Sequence, residues 1–65
     1  MKILLANVRV DRKITLEKLA STSGVSKSTL QRIEIGAVSP TMETMERMAK
    51  GLDVKITELF ESKYK

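Results

Sequence analysis

No cysteine and no histidine occur anywhere in this chain. Without thiols, neither a disulfide framework nor a thiolate metal site can supplement the core. Without imidazole, Ser-His and Cys-His catalysis and the common zinc ligand sets are excluded as well. These absences leave a purely carboxylate-based enzyme or a magnesium site open. Aromatics are restricted to Phe60 and Tyr64, and Pro40 is the only proline. No apolar run approaches the roughly 20 residues needed to span a bilayer. Ile3 to Ala6 follows a single lysine, but this stretch is too short for a secretory signal core and no small-residue cleavage site follows it. The expectation is a cytoplasmic protein without a membrane partner.

What remains is 65 residues, enough for one domain. A chain of this size buries only about 60% of its unfolded surface, so one small core must hold it together. The formal charge is +4, and its distribution says more than its size. Residues 1–40 carry seven Lys and Arg against three Asp and Glu, whereas residues 41–65 carry five of each. The excess positive charge therefore lies in the first three-fifths of the chain. That pattern is expected if one side meets a polyanion, although small soluble domains often carry a net charge of this size.

Apolar residues recur at three- and four-residue spacing, the signature of helices, and β-branched residues do not alternate with polar ones. Five short helices are expected, in a compact all-α fold. The first covers Lys2 to Arg12, with Leu5 and Val8 inward and Leu4 flanking them. The second covers Leu16 to Ser23, capped by Thr15 and ended by Gly24, which tolerates positive φ. The third covers Lys27 to Ile35, capped by Ser26 and ended by Gly36. The fourth, Met42 to Leu52, is capped by Thr41 and turns Met42, Met45, Met48, Ala49 and Leu52 inward. Methionine at this spacing reads as adaptable core filling. Asp53 occupies the next turn, and the fifth helix covers Ile56 to Glu61. Lys55 is a poor cap, which predicts a frayed start there. Ser62 to Lys65 find no partner in the sequence and are expected to be mobile.

The segment LEKLASTSGVSKSTLQRIEI, Leu16 to Ile35, is the informative one. Two helices meet through a very short turn. Ala20 permits a close helix crossing, and Gly24 takes a backbone conformation that a β-carbon would obstruct. Leu19, Val25, Leu30 and Ile33 turn inward. Lys27, Ser28, Gln31 and Arg32 point outward, with Thr29 beside them. None of these five is acidic and all can donate hydrogen bonds, which suits phosphates and the acceptor-rich edges of bases. A plain solvated face is the competing reading. Glu43 and Glu46 are i, i+3 neighbours, yet exposed helix carboxylates without a nucleophile–base pair, glycine-rich phosphate loop or metal spacing do not make an enzyme.

These residues, with the flanking PTMETMERMA at Pro40–Ala49 and LDVKITEL at Leu52–Leu59, resemble the phage repressor and Cro-like helix-turn-helix domains, the XRE family. The resemblance covers roughly Leu5 to Phe60. It implies a transcriptional regulator, a repressor of phage, plasmid or bacterial origin, that needs no cofactor or metal and acts on double-stranded DNA. The third helix would lie in the major groove while the second crosses the backbone. Carried over by position, Lys27, Ser28 and Arg32 are the base-contacting candidates. Thr29, Gln31, Ser26 and the Leu16 backbone N–H are further candidates for base or phosphate contact. Arg9 and Glu34 match an ion pair joining the first and third helices. Family members pair through the C-terminal region, placing two recognition helices about 34 Å apart on a palindrome. Ile56, Leu59 and Phe60 are the candidates for such a homodimer interface, with Phe60 as the partner-facing anchor and Ile56 and Leu59 read first as closing this domain's own core.

Four departures thin the DNA-contacting periphery. Leu16 stands where the family usually has Gln, Ile35 where it commonly has Asn, and Ala37-Val38-Ser39 lack the usual Lys and Arg. Ser23 replaces an apolar residue that seals the turn. Leu16, Ile35 and Val38 could therefore form an apolar patch instead. That motivates the alternative of a protein-interaction module, such as an antitoxin, with a weakened DNA face.

Overall fold

The computed structural model describes residues 1–65. A short strand β1 (Lys2–Ile3) precedes four helices, α1 (Leu5–Asp11), α2 (Leu16–Ser23), α3 (Lys27–Glu34) and α4 (Met42–Leu52). A single 3₁₀ turn (Ile56–Leu59) and a second strand β2 (Phe60–Glu61) close the chain. No helix is long and apolar enough to cross a membrane.

Three helix starts are set by local chemistry. The hydroxyls of Thr15, Ser26 and Thr41 accept the backbone N–H groups of Lys18, Thr29 and Thr44 at 3.1, 3.2 and 3.1 Å. Each satisfies one of the orphan donors of a first turn. The periodicity then buries one stripe per element. Leu5, Leu19, Leu30, Met48, Leu52 and Leu59 are fully enclosed, so every helix and the 3₁₀ turn contribute to one core. Ser23, buried at the expected apolar position, is satisfied because its Oγ accepts the Val25 N–H at 3.2 Å.

The expectation of five helices is corrected to four, and both chain ends are responsible. Lys2 and Ile3 are not helical; they pair antiparallel with Glu61 and Phe60. Leu4 continues the contact by donating its N–H to the Leu59 carbonyl at 2.8 Å, so helix geometry begins only at Leu5. The predicted fifth helix lasts one 3₁₀ turn, because Phe60 adopts φ −151° and ψ 158° to join the sheet. Its start is not left frayed: the Glu58 carboxylate accepts the Lys55 N–H at 2.7 Å, which half of a capping box accomplishes without a capping side chain. Residues 62–65 form a turn, with the Lys65 ammonium donating to the Phe60 carbonyl at 3.0 Å.

One packing expectation also changes. Met42, placed inward by its spacing, is 67% exposed; it begins α4, and the buried stripe starts with Met45. A close helix approach that the sequence did not signal lies at Gly51 in α4. A β-carbon there would stand 2.8 Å from Leu19 Cδ1, 2.9 Å from Thr22 Oγ1 and 3.1 Å from Ser23 Cβ, so the side chains of α2 rest directly on the α4 backbone.

Candidate nucleic-acid interface

Three residues, Gly24, Val25 and Ser26, separate α2 from α3. Gly24 takes φ 74°, a left-handed conformation that costs a β-carbon-bearing residue roughly 1–2 kcal/mol. Its N–H closes α2 on the Ala20 carbonyl at 3.1 Å. Val25 is buried and anchors the turn, after which Ser26 starts α3 in a new direction. Leu30 and Ile33 then sink into the core, while Lys27, Ser28, Gln31 and Arg32 are exposed and Thr29 is half-buried. The predicted outward set is thus brought together on one face of one helix.

The members of that face are not equivalent. Arg32, in the last turn of α3, pairs with no carboxylate of this chain. Lys27 does: its Nζ lies 2.9 Å from Glu17 Oε2 in the first turn of α2. The Lys27 hydrogen bond, followed by Glu17's own backbone N–H, holds that carboxyl below the usual carboxylate range. At the start of α3, Ser26 Oγ donates to Thr29 Oγ1 at 2.8 Å and lies 3.4 Å from Ser28 Oγ, so three hydroxyls cluster beside Lys27. Leu16 is half-buried and packs on the core; its N–H, in a helical first turn, has no partner within the helix.

The face is braced from behind. Arg9 Nε and Nη2 donate to the two Glu34 oxygens at 2.5 and 3.3 Å, and Nη1 donates to the Ile14 carbonyl at 2.9 Å. The side chains are only 18% and 11% exposed. Hydrogen bonding to Glu34 raises the Arg9 pKa, against the opposing pull of burial. One clamp therefore ties α1, the α1–α2 link and the end of α3 together.

The candidate dimer residues divide. Leu59 is fully buried in this domain's own core, which removes it from any surface available to a partner. Ile56 and Phe60 are half-buried against that core, and the Lys65 ammonium sits 5.4 Å from the Phe60 ring centre. The suspected apolar patch is also redrawn. Ile35, 75% exposed, and Val38 line a depression of about 320 Å³ together with Met1, but Leu16 is not part of it. No cluster of three or more metal-ligating side chains occurs.

Reasoning from sequence missed two residues. Glu17 lies on α2, outside the run of donors on α3. The ten-residue offset to Lys27, across a three-residue turn, was the available signal: it joins the first turns of two consecutive helices. Met1 gave no signal at all.

Known proteins resemble this chain in sequence. The helix-turn-helix family model matches residues 5–59. The cryptic phage CTXphi transcriptional repressor RstR of Vibrio cholerae is 42% identical over 53 residues, covering 82% of this chain and 48% of that protein. The HTH-type transcriptional regulator SlrR of Bacillus subtilis is 37% identical over 59 residues, 85% of this chain and 39% of its own length. The chain thus spans about half or less of these two relatives. It spans 91% of MJ0272 of Methanocaldococcus jannaschii, an uncharacterised HTH-type transcriptional regulator that is 37% identical over 60 residues. No solved structure matches the chain. With the caps, the glycine turn and the braced third helix all in place along the matched segment, the chain belongs to the helix-turn-helix family of the Cro and phage-repressor (XRE) type, a family of DNA-binding regulators and not of enzymes.

Proposed function

We propose that this chain is a sequence-specific regulator of transcription, a repressor that occupies a palindromic operator as a homodimer, in the cytoplasm, with α3 in the major groove. One observation carries the reading: Leu30 and Ile33 fix α3 to the core by one side, while its other side offers Lys27, Ser28, Gln31 and Arg32 to solvent. Such a face can donate to the acceptors N7 and O6 of guanine and to phosphates. Arg32, unpaired and forked, is suited to bidentate contact with guanine. Thr29, Ser26 and the Leu16 N–H are suited to nearby phosphates.

Selection from a pool of random duplexes tests the proposal, with a recovered consensus as the supporting result. Arg32→Ala should then weaken binding to that consensus by about 1–3 kcal/mol and relax preference at one base pair. The melting curve should not move, since Arg32 is exposed. Unchanged affinity would remove Arg32 from the reading set.

One such domain covers few base pairs and binds weakly alone, which is the reason to invoke a dimer. Phe60 is the anchor proposed for it, with Ile56 beside it and Leu59 in the core beneath. Phe60→Lys should shift the protein toward monomer in sedimentation while circular dichroism stays helical. An unaltered sedimentation profile would assign the ring to this domain's core alone.

A second reading rests on the depression lined by Met1, Ile35 and Val38, three of the six exposed large apolar side chains. It makes the chain a protein-interaction module of the antitoxin kind. Failure to select any duplex, together with a stable heteromer, would favour it.

A further inference from the structure

The two cations on the exposed face of α3 are held differently. Arg32 is unpaired, whereas Lys27 donates to Glu17 at 2.9 Å across the α2–α3 turn. Both partners are solvent-exposed, at 52% and 69% for Lys27 and Glu17. An ion pair this exposed adds little to folding, so although the first turn of α2 favours an acid, stability does not account for that acid's pairing with Lys27.

We propose that Glu17 is a positioning residue for base reading: it presents Lys27 as an oriented hydrogen-bond donor instead of a free cation, and so sets the balance between sequence-specific and indiscriminate duplex binding. The inference rests on the reading of α3 as the groove helix. A lysine by itself is a mobile point charge on a four-carbon stem, attracted to any phosphate. Indiscriminate binding to DNA is almost entirely phosphate attraction. A carboxylate at hydrogen-bond distance cancels that attraction locally without exhausting the ammonium, which has three N–H donors. One is given to Glu17, and two remain for a base edge with paired acceptors, such as guanine N7 and O6. Held in place, the donor has less rotamer freedom to lose on binding. The neutral pair therefore loses phosphate affinity and keeps base affinity.

Glu17→Gln, measured on the consensus duplex and on random duplex, tests this. Affinity for random duplex should rise about two- to five-fold, the range expected from releasing one exposed pair. The salt slope on random duplex should steepen by about 0.9, the contribution of one added phosphate contact. Affinity for the consensus should stay level or fall, so the ratio of the two declines. Preference should relax at the same base pair that Lys27→Met relaxes, and in the Lys27→Met background Glu17→Gln should leave the ratio unchanged. An equal rise on both duplexes, or the same change with and without Lys27, would reduce Glu17 to a general repulsive charge and overturn the inference. An unchanged ratio and slope would overturn it too. These failures leave the groove-helix reading standing, provided the wild-type chain selects a consensus. If it selects none, that reading and this inference both fall.

Discussion

Glu34→Ala should lower the stability of this domain by about 3 kcal/mol, the lower end of the range for stranding one member of a buried ion pair. Three donors of Arg9 are engaged, two with Glu34 and one with the Ile14 carbonyl, and both side chains are more than four-fifths covered. Removing the carboxylate leaves a guanidinium that has lost most of its water and its counter-charge together. For a domain of this size, each kcal/mol moves the melting temperature by roughly 4–8 °C, so a fall of roughly 12 °C or more should be seen in a thermal scan. The double variant Arg9→Met, Glu34→Leu should regain most of the loss, because two apolar side chains leave no charge uncompensated. A single variant costing less than about 0.5 kcal/mol would mean that the pair behaves as a surface contact.

The same clamp bears on DNA binding. Apart from Leu30 and Ile33, α3 is fastened to the scaffold chiefly at its last residue, Glu34. In the Glu34→Ala variant, amide exchange in α3 should quicken more than in α4, which keeps Met45, Met48, Ala49 and Leu52 buried. At a temperature where the variant is still folded, affinity for the consensus duplex should fall while Lys27 and Arg32 remain intact. Such a loss would come from orientation alone.

How far the sequence disclosed all this depends on the range of each cause. Thr15, Ser26 and Thr41 were legible as caps because the bond they make is three residues away. Gly24 and Gly36 were legible as stops because a left-handed backbone is a property of one residue. The buried stripe of α3 followed from its period. Arg9 and Glu34 lie 25 residues apart, and only the family resemblance joined them. The β1–β2 ladder was out of reach: two residues at each end, Lys2–Ile3 and Phe60–Glu61, are too few to show alternation. That pairing also cut short both the first and the fifth predicted helices. Met42 matched the stripe in spacing but not in burial, since period says which side a residue faces and not whether anything packs there. Within the candidate interface, the donors on α3 were legible from one helix, whereas the Glu17 tether needed the geometry of two.

Gly51→Val should cost about 1–3 kcal/mol, the usual consequence of forcing extra atoms into a filled interface. The first added atom, Cβ, would lie 2.8 Å from Leu19 Cδ1, 2.9 Å from Thr22 Oγ1 and 3.1 Å from Ser23 Cβ. Leu19 is fully enclosed and Ser23 is buried, so neither can swing out of the way, and α2 itself must shift. Gly51→Ala separates sterics from backbone preference. In an open helix, alanine would be favoured over glycine by about 1 kcal/mol, so a net loss in Gly51→Ala isolates the clash. Denaturant melts of the two variants, with exposed Lys50→Ala as a neutral reference, measure both quantities. A stabilised Gly51→Ala would show that α2 and α4 separate freely at their crossing. The shift has a second consequence, because α2 carries the Gly24 turn and, through Glu17, one end of the tether to Lys27. Displacing α2 from α4 alters where α3 points, so consensus affinity in Gly51→Val should fall further than its loss of folded population explains. Gly51 touches neither α3 nor a duplex in this reading, and its influence on binding passes entirely through the position of α2.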